Sequence, residues 1–230
     1  MKPMSSGRPS SVDNAYTPAA GFHWLTPFYD FGIAVLTREK RWRNALVEQI
    51  RPVRGDVVAD IGCGTGSLLL HLGRAEPGAK LIGIDPDAAM LSRAQAKAGA
   101  AGISVKLYQG FAHDAATLLK HYRVGKIASS LAFHHMPMRE KASGLQAMYA
   151  ALDPGGELHV ADFGLQRSRL MRALFRAGVQ VLDGRATTEP NAHGVLPELM
   201  AAAGFTDVEE TTVIPTPTGS ISLYRALRPT

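Results

Sequence analysis

Two carboxylates and a run of glycines carry the clearest chemistry in this 230-residue chain. Val58-Ala59-Asp60-Ile61-Gly62-Cys63-Gly64-Thr65-Gly66-Ser67 reads as a buried strand ending in an acid, then a tight turn, then a helix opening near Ser67. A second apolar run, Leu81-Ile82-Gly83-Ile84, ends in Asp85, nineteen residues past Gly66. Acids at the carboxyl ends of adjacent strands, with a glycine turn between them, describe a nucleoside-binding crevice. Without a Cβ, the glycines let the backbone come close to a ligand. Asp85 stands where a ribose diol needs a bidentate acceptor. A dinucleotide fingerprint would put its third glycine where Ser67 stands, and Asp60 would repel a pyrophosphate. Asp60 suits instead a ligand carrying an amine or a sulfonium.

These residues need strands and helices in alternation to hold them, and the chain supplies that pattern. Strands are expected near Val57–Asp60, Lys80–Asp85, Ser104–Gln109, Lys126–Ser130 and Glu157–Asp162. Helices are expected over Ser67–Arg74, Asp87–Ala98, Ala112–Lys120 and Met138–Leu152, with Asp87 as an N-cap. This order predicts an α/β domain, a doubly wound parallel sheet covered on both faces. A helix over Arg167–Leu182 would place Leu170, Met171, Leu174, Phe175, Val179 and Leu182 on one face and Arg169, Arg172 and Arg176 on the other. A loop over Ala186–His193 and a helix over Leu196–Ala203, stopped by Gly204, follow. Two last strands, Asp207–Ile214 and Ser220–Leu227, flank Thr216-Pro217-Thr218-Gly219 as a hairpin. Residues 1–15, rich in Ser, Pro and Gly, read as a disordered tail. Residues 16–50 read as a mostly helical lead-in bearing Phe22, Trp24, Phe28, Tyr29, Phe31 and Trp42, and 16–230 as one domain.

Composition narrows the partners. The net charge of +5 is modest and its arginines are scattered, with none of the basic-aromatic interleaving that tracks single-stranded nucleic acid. Nucleic acid is therefore not favoured; an anionic substrate or a membrane surface accounts for the charge equally well. One cysteine excludes an internal disulfide, and no cysteine/histidine spacing suggests a metal site. With no long apolar run and no apolar signal core, a cytoplasmic location is expected. Nothing in the sequence sets an oligomeric state.

The pattern D-x-G-x-G-x-G, followed by an acid after the next strand, resembles the class I S-adenosylmethionine-dependent methyltransferases. So do Ala128-Ser129-Ser130-Leu131-Ala132-Phe133-His134-His135-Met136, Asp153-Pro154-Gly155-Gly156-Glu157-Leu158 and Ala203-Gly204-Phe205-Thr206-Asp207-Val208. Within that class, Pro27-Phe28-Tyr29-Asp30 before Trp42-Arg43 resembles the ubiquinone/menaquinone-type C-methyltransferases and related small-molecule enzymes. The resemblance implies a Rossmann-like seven-stranded sheet whose seventh strand is antiparallel and inserted beside the sixth. It implies S-adenosyl-L-methionine as cofactor and a small-molecule methyl acceptor, with peripheral membrane contact if that acceptor is a quinone or lipid.

The cofactor contacts it implies are Asp60, Gly62, Cys63, Gly64 and Gly66 along the methionine portion and Asp85 on the ribose. Pro86 would pack under the adenine, Gly110, Phe111 and Ala112 would flank it, and Ser130 would face the cofactor. Apart from the resemblance, the lead-in aromatics would either pack against the main sheet or, for Tyr16 and Tyr29 especially, cover the cofactor or the acceptor. The run Gly110-Phe111-Ala112-His113-Asp114 departs from the family's usual polar contact to adenine, leaving His113, Asp114 or Phe111 with backbone groups to hold the ring. Cys63 is a small side chain in the turn rather than a nucleophile. Catalysis would fall to His134 and His135, which follow the strand expected to face the methyl group and titrate near neutrality. Asp162 is a further candidate, or else a cap for the next turn. A nicotinamide-dependent oxidoreductase and a non-catalytic S-adenosylmethionine-binding regulatory module are the competing readings.

Overall fold

A computed structural model describes residues 38–230. The expected tail over 1–15, the aromatic lead-in before Arg38, and Tyr16 and Tyr29 lie outside the described residues. The described residues open with α1 (Glu39–Ile50), which turns Trp42, Arg43, Leu46 and Ile50 inward. Then β1 (Val57–Ile61), α2 (Ser67–Ala75), β2 (Lys80–Asp85), α3 (Ala88–Ala101) and β3 (Val105–Gln109) alternate. A short 3-10 turn (Ala112–Asp114) leads into α4 (Ala115–Leu119) and β4 (Val124–Ser130). A second 3-10 turn (Phe133–His135) precedes α5 (Met138–Ala151) and β5 (Leu152–Phe163). Three helices follow, α6 (Arg169–Ala177), α7 (Val179–Asp183) and α8 (Arg185–Ala192), then α9 (Val195–Ala202), β6 (Thr206–Thr216) and β7 (Gly219–Leu227).

The seven strands form one sheet in the order β3-β2-β1-β4-β5-β7-β6. The first five are parallel, and β7 runs antiparallel between β5 and β6. The inserted seventh strand and the doubly wound sheet therefore stand as the sequence predicts. β1 is central and buried at all five positions, as a parallel strand covered on both faces must be. Burying each aliphatic side chain there is worth about 1.5–3 kcal/mol, so Asp60 is an ionisable group set inside an apolar strand. The strand order reverses at β1, between β2 and β4, and the two strand-end acids Asp60 and Asp85 lie at that switch.

Asp87 caps α3 as expected, accepting from the N–H groups of Ala89 and Met90. Other expectations shift. The single helix over Arg167–Leu182 is broken at Gly178 into α6 and α7. Its apolar face is incomplete: Phe175 and Val179 are buried, but Leu170 and Leu182 are 63% and 66% exposed. The expected loop over Ala186–His193 is mostly α8. Pro190 sits near the end of that helix, and the Thr188 hydroxyl donates back to the Gly184 carbonyl. Pro and two threonines read as loop chemistry in the sequence, whereas tertiary packing buries Thr188, Asn191 and Ala192 and holds the turn helical.

Candidate active site

The glycine turn is built by backbone geometry. Gly62 and Gly66 both have φ of +74°, which disfavours any side chain. A Cβ on Gly62 would lie 2.6 Å from the Ala132 Cβ, and one on Gly66 would lie 2.9 Å from the Ala94 Cβ. Gly64, by contrast, faces open space. The Cys63 side chain turns inward, where a Cβ on Gly83 would meet its Sγ at 2.8 Å. Burial pushes its thiol pKa up, so Cys63 contributes main chain to the turn's open face and no nucleophile.

Asp85 is locked by that turn. Its Oδ2 accepts from the Gly64 N–H at 2.8 Å and its Oδ1 from the Asp87 N–H at 3.0 Å. Each oxygen retains a lone pair for a further donor. The next wall comes from Gly110, whose N–H donates to the Asp85 carbonyl, and from Phe111, 38% exposed, its ring stacked on His113 at 5.5 Å. Asp114 Oδ2 accepts from the Phe111 N–H and so caps its own turn. Pro86 adjoins, its carbonyl accepting from Gln109 Nε2. Ala112 packs toward Gly144 on α5, and Ser130, half-buried, ends β4.

Asp60 is fully buried, and among the described residues neither of its oxygens has a hydrogen-bond partner. Burial raises its pKa to about 7, a rise eased by Arg43 and reinforced by Asp85. Arg43, from α1, is itself buried and, among the described residues, its Nε and Nη1 have no hydrogen-bond partner; its Nη2 pairs with Glu39 at 2.6 Å. A buried carboxylate and a buried guanidinium, each with unmet bonding, sit beside the open glycine turn. Unsatisfied groups of this kind are costly, and the amino-acid end of S-adenosylmethionine offers an ammonium and a carboxylate to match them. The residues present therefore fit that cofactor: orphaned charges at one end, Asp85 in the middle, an aromatic wall at the other.

At the ends of β4 and β5 a different construction appears. Leu131 adopts φ of +50°, a strained value for leucine, and turns the chain into the 3-10 turn bearing both histidines. His134 is buried, its Nδ1 2.8 Å from Asp162 Oδ1 and its Nε2 3.7 Å from Asp183 Oδ2. His135 packs against it, ring centroids 4.0 Å apart, with Nδ1 3.8 Å from Asp183 Oδ1. Burial and the neighbouring His134 hold the His135 pKa well below the ordinary imidazole value. Asp162 accepts from the N–H groups of Phe133 and Phe163 and from Asn191 Nδ2. Burial opposes its ionisation, but His134, Lys141 and the Phe163 N–H outweigh it and hold its pKa below the usual carboxylate value. Lys141, fully buried, donates to the carbonyls of Phe133 and Thr187, tying the histidine turn to α8. Burial lowers its pKa to about 8.

The structure thus brings His134, His135 and Asp162 into one cluster. Asp60, Cys63 and the glycines join Asp85 in another. Arg43, Lys141, Asp183 and Asn191 were not singled out from the sequence. Lys141 left a trace, because it shares the inward stripe of α5 with Leu145 and Met148. Asp183 and Asn191 left none, standing in segments whose path depends on tertiary packing.

Comparison with known proteins agrees with this fold. Residues 58–156 match a family model described as a methyltransferase domain. The demethylmenaquinone methyltransferase of Deinococcus radiodurans is 29% identical over 212 residues, 90% of this chain and 86% of that protein. Magnesium protoporphyrin IX methyltransferase from Synechocystis PCC 6803, in a structure with bound SAH, shares the fold at a TM-score of 0.67 and 18% identity, covering 91% of this chain and 89% of that one. An O-methyltransferase family protein from Burkholderia thailandensis also shares it, at a TM-score of 0.69 and 17% identity; the match covers 90% of this chain but 61% of that one. A sheet with an inserted antiparallel strand, a crevice fitted to S-adenosylmethionine and these relatives lead to one conclusion: residues 58–156 match a methyltransferase domain, and the chain is similar to the class I S-adenosylmethionine-dependent methyltransferases.

Proposed function

We propose that this methyltransferase acts on an acceptor that must lose a proton, a hydroxyl or an acidic ring carbon of a quinol-like molecule, with His134 as the base. The observation that carries this reading is the buried His134–Asp162 pair at 2.8 Å. An ionised Asp162 accepting from Nδ1–H leaves the Nε2 lone pair free. The relatives add the acceptor class, since demethylmenaquinone methyltransferases are among them.

Bound S-adenosylmethionine supplies a methyl group already activated on a sulfonium. Asp60 would hold the cofactor's ammonium and Arg43 its carboxylate, so that each buried charge of the protein would meet an opposite one. Asp85 accepts from the ribose hydroxyls, and Phe111 with Pro86 flanks the adenine. His134 Nε2 would take the acceptor's proton, freeing the electron pair that receives the methyl group. Positioning contributes on the order of 7–11 kcal/mol, and a general base typically ~10²–10⁴-fold. The test is turnover of reduced demethylmenaquinone analogues by wild type and His134→Ala. Retained turnover in the variant sinks the base role.

A second observation favours work at a lipid surface. α6 and α7 expose Leu170, Val181 and Leu182, the last two 74% and 66% accessible, beside exposed Arg169, Arg176 and Arg185. No helix among the described residues is long and apolar enough to cross a membrane. Apolar side chains interleaved with arginines suit a peripheral contact with anionic lipid. Co-flotation with anionic vesicles at low salt, weakened by Leu170→Ser with Leu182→Ser, is the expected result; no flotation of wild type would rule it out.

A further inference from the structure

We propose that His134, His135 and Asp183 form a binding site for one divalent transition-metal ion of the zinc class, an occupant that neither the sequence pattern nor the relatives' names assign. One donor atom from each of the three lies within 4.8 Å of the other two. The two histidines come from the turn after β4, and Asp183 comes from the end of α7, so the site closes the acceptor-side cover onto the sheet.

Three features point to an ion rather than to incidental proximity. First, His134 is already oriented as a ligand. Its Nδ1–H donates to Asp162 at 2.8 Å, and Asp162 is fixed in turn by the Phe133 and Phe163 N–H groups. A carboxylate behind the imidazole is the outer-shell arrangement that sets tautomer and ring direction in metal-binding histidines. Here it leaves the Nε2 lone pair aimed at Asp183. Second, the Asp183 side chain is only 15% exposed, yet its oxygens approach the two imidazoles at 3.7 and 3.8 Å, beyond hydrogen-bond reach. Among the described residues they accept no hydrogen bond. Third, those gaps are of the right order. Donors bound at about 2.0–2.2 Å around a tetrahedral ion lie roughly 3.4 Å apart. The outer edge of His135 is exposed, so its ring can turn to close the remainder.

The donor set selects the ion. Two neutral imidazole nitrogens and one carboxylate suit zinc, cobalt, nickel or ferrous iron, whereas magnesium and calcium prefer all-oxygen shells. Three protein ligands leave an open position of the kind found in catalytic rather than structural sites. An ion held by Nε2 occupies the lone pair that the base role above requires, so the metal-bound protein lacks that base; the site's place beside the acceptor rests on that reading, and the binding itself does not.

The experiment uses the full chain stripped with a chelator. Cobalt is titrated while its visible d–d absorption is followed, and zinc is titrated calorimetrically. One saturable equivalent is expected, with affinity reduced at least about tenfold in His135→Ala and in Asp183→Asn, and about 10–100-fold in Asp162→Asn. Binding of S-adenosylhomocysteine by each variant verifies its fold. Should a variant not fold, cobalt-induced broadening of the His134 and His135 imidazole resonances in wild type tests the same three ligands. No saturable equivalent, affinity unchanged in both ligand variants, or broadening confined to other histidines would overturn the proposal. Because metal binding is read apart from turnover, failure of the base role and failure of the metal site remain distinguishable.

Discussion

The carboxyl edge of the sheet has two halves that work by different means. Around β1 to β3 the site is made largely of main chain: a glycine turn, backbone N–H groups fixing Asp85, and one buried acid at a strand end. Around β4 and β5 it is made of side chains drawn from distant segments, with His134, Asp162, Lys141, Asp183 and Asn191 meeting across three separate stretches of chain. On the function proposed above, the first half holds the cofactor and the second meets the acceptor, where side chains on helices and turns can be exchanged without disturbing the sheet. Binding energy for the cofactor and chemistry on the acceptor should therefore be separable by mutation.

The largest expected separation is at His134. His134→Ala should lower kcat by ~10²–10⁴-fold while leaving the dissociation constant for S-adenosylhomocysteine nearly unchanged; single-turnover kinetics and calorimetry measure the two. Asp85→Ala should do the reverse. Losing two charge-assisted bonds to the ribose, each about 1.5–3 kcal/mol, should weaken cofactor binding at least about 100-fold, with folding preserved by circular dichroism.

Within the cofactor half, two glycines sharpen the contrast between backbone and ligand. Gly62→Ala meets both a positive φ and Ala132 at 2.6 Å, and should cost about 1–3 kcal/mol of stability in denaturant unfolding. Gly64→Ala shares the positive φ, at +51°, but has open space around its Cβ, so its stability loss should be smaller and its main effect should be on cofactor affinity. Equal stability losses would contradict the close approach at Gly62.

The smallest effect expected is a pH dependence carried by Asp60. Its folded pKa is raised by burial to about 7, above the ordinary unfolded value near 3.9. The folded, cofactor-free protein therefore holds an extra proton between those values, and Asp60 makes stability fall as pH rises through that window. An ammonium partner requires the ionised form. Cofactor affinity should accordingly rise about tenfold from pH 6 to pH 8, with proton release detectable by calorimetry in buffers of different ionisation enthalpy. Asp60→Asn should abolish both the proton release and this pH dependence.

Legibility in the sequence follows the same division. The strand-end acids and glycines were readable because they are neighbours in sequence and because a tight turn admits few residue types. The doubly wound parallel sheet followed from alternation, and the inserted strand from resemblance. His134, His135 and Asp162 were readable as strand-end polar residues. Asp183 was not, because its position depends on the break at Gly178 and on α8 forming despite Pro190. Arg43 stood in a helix whose apolar stripe of Trp42, Leu46 and Ile50 explained it as a neighbour rather than as a buried cation. Packing between elements far apart in sequence decides both, and no local pattern reports it.

The most direct measurement is calorimetric titration of S-adenosylhomocysteine into wild type, Asp85→Ala and His134→Ala. Tight binding to wild type and to His134→Ala, with binding lost in Asp85→Ala, is the predicted result. Loss of binding in His134→Ala comparable to that in Asp85→Ala, or unimpaired binding in Asp85→Ala, would contradict the division of the site into a cofactor half and an acceptor half.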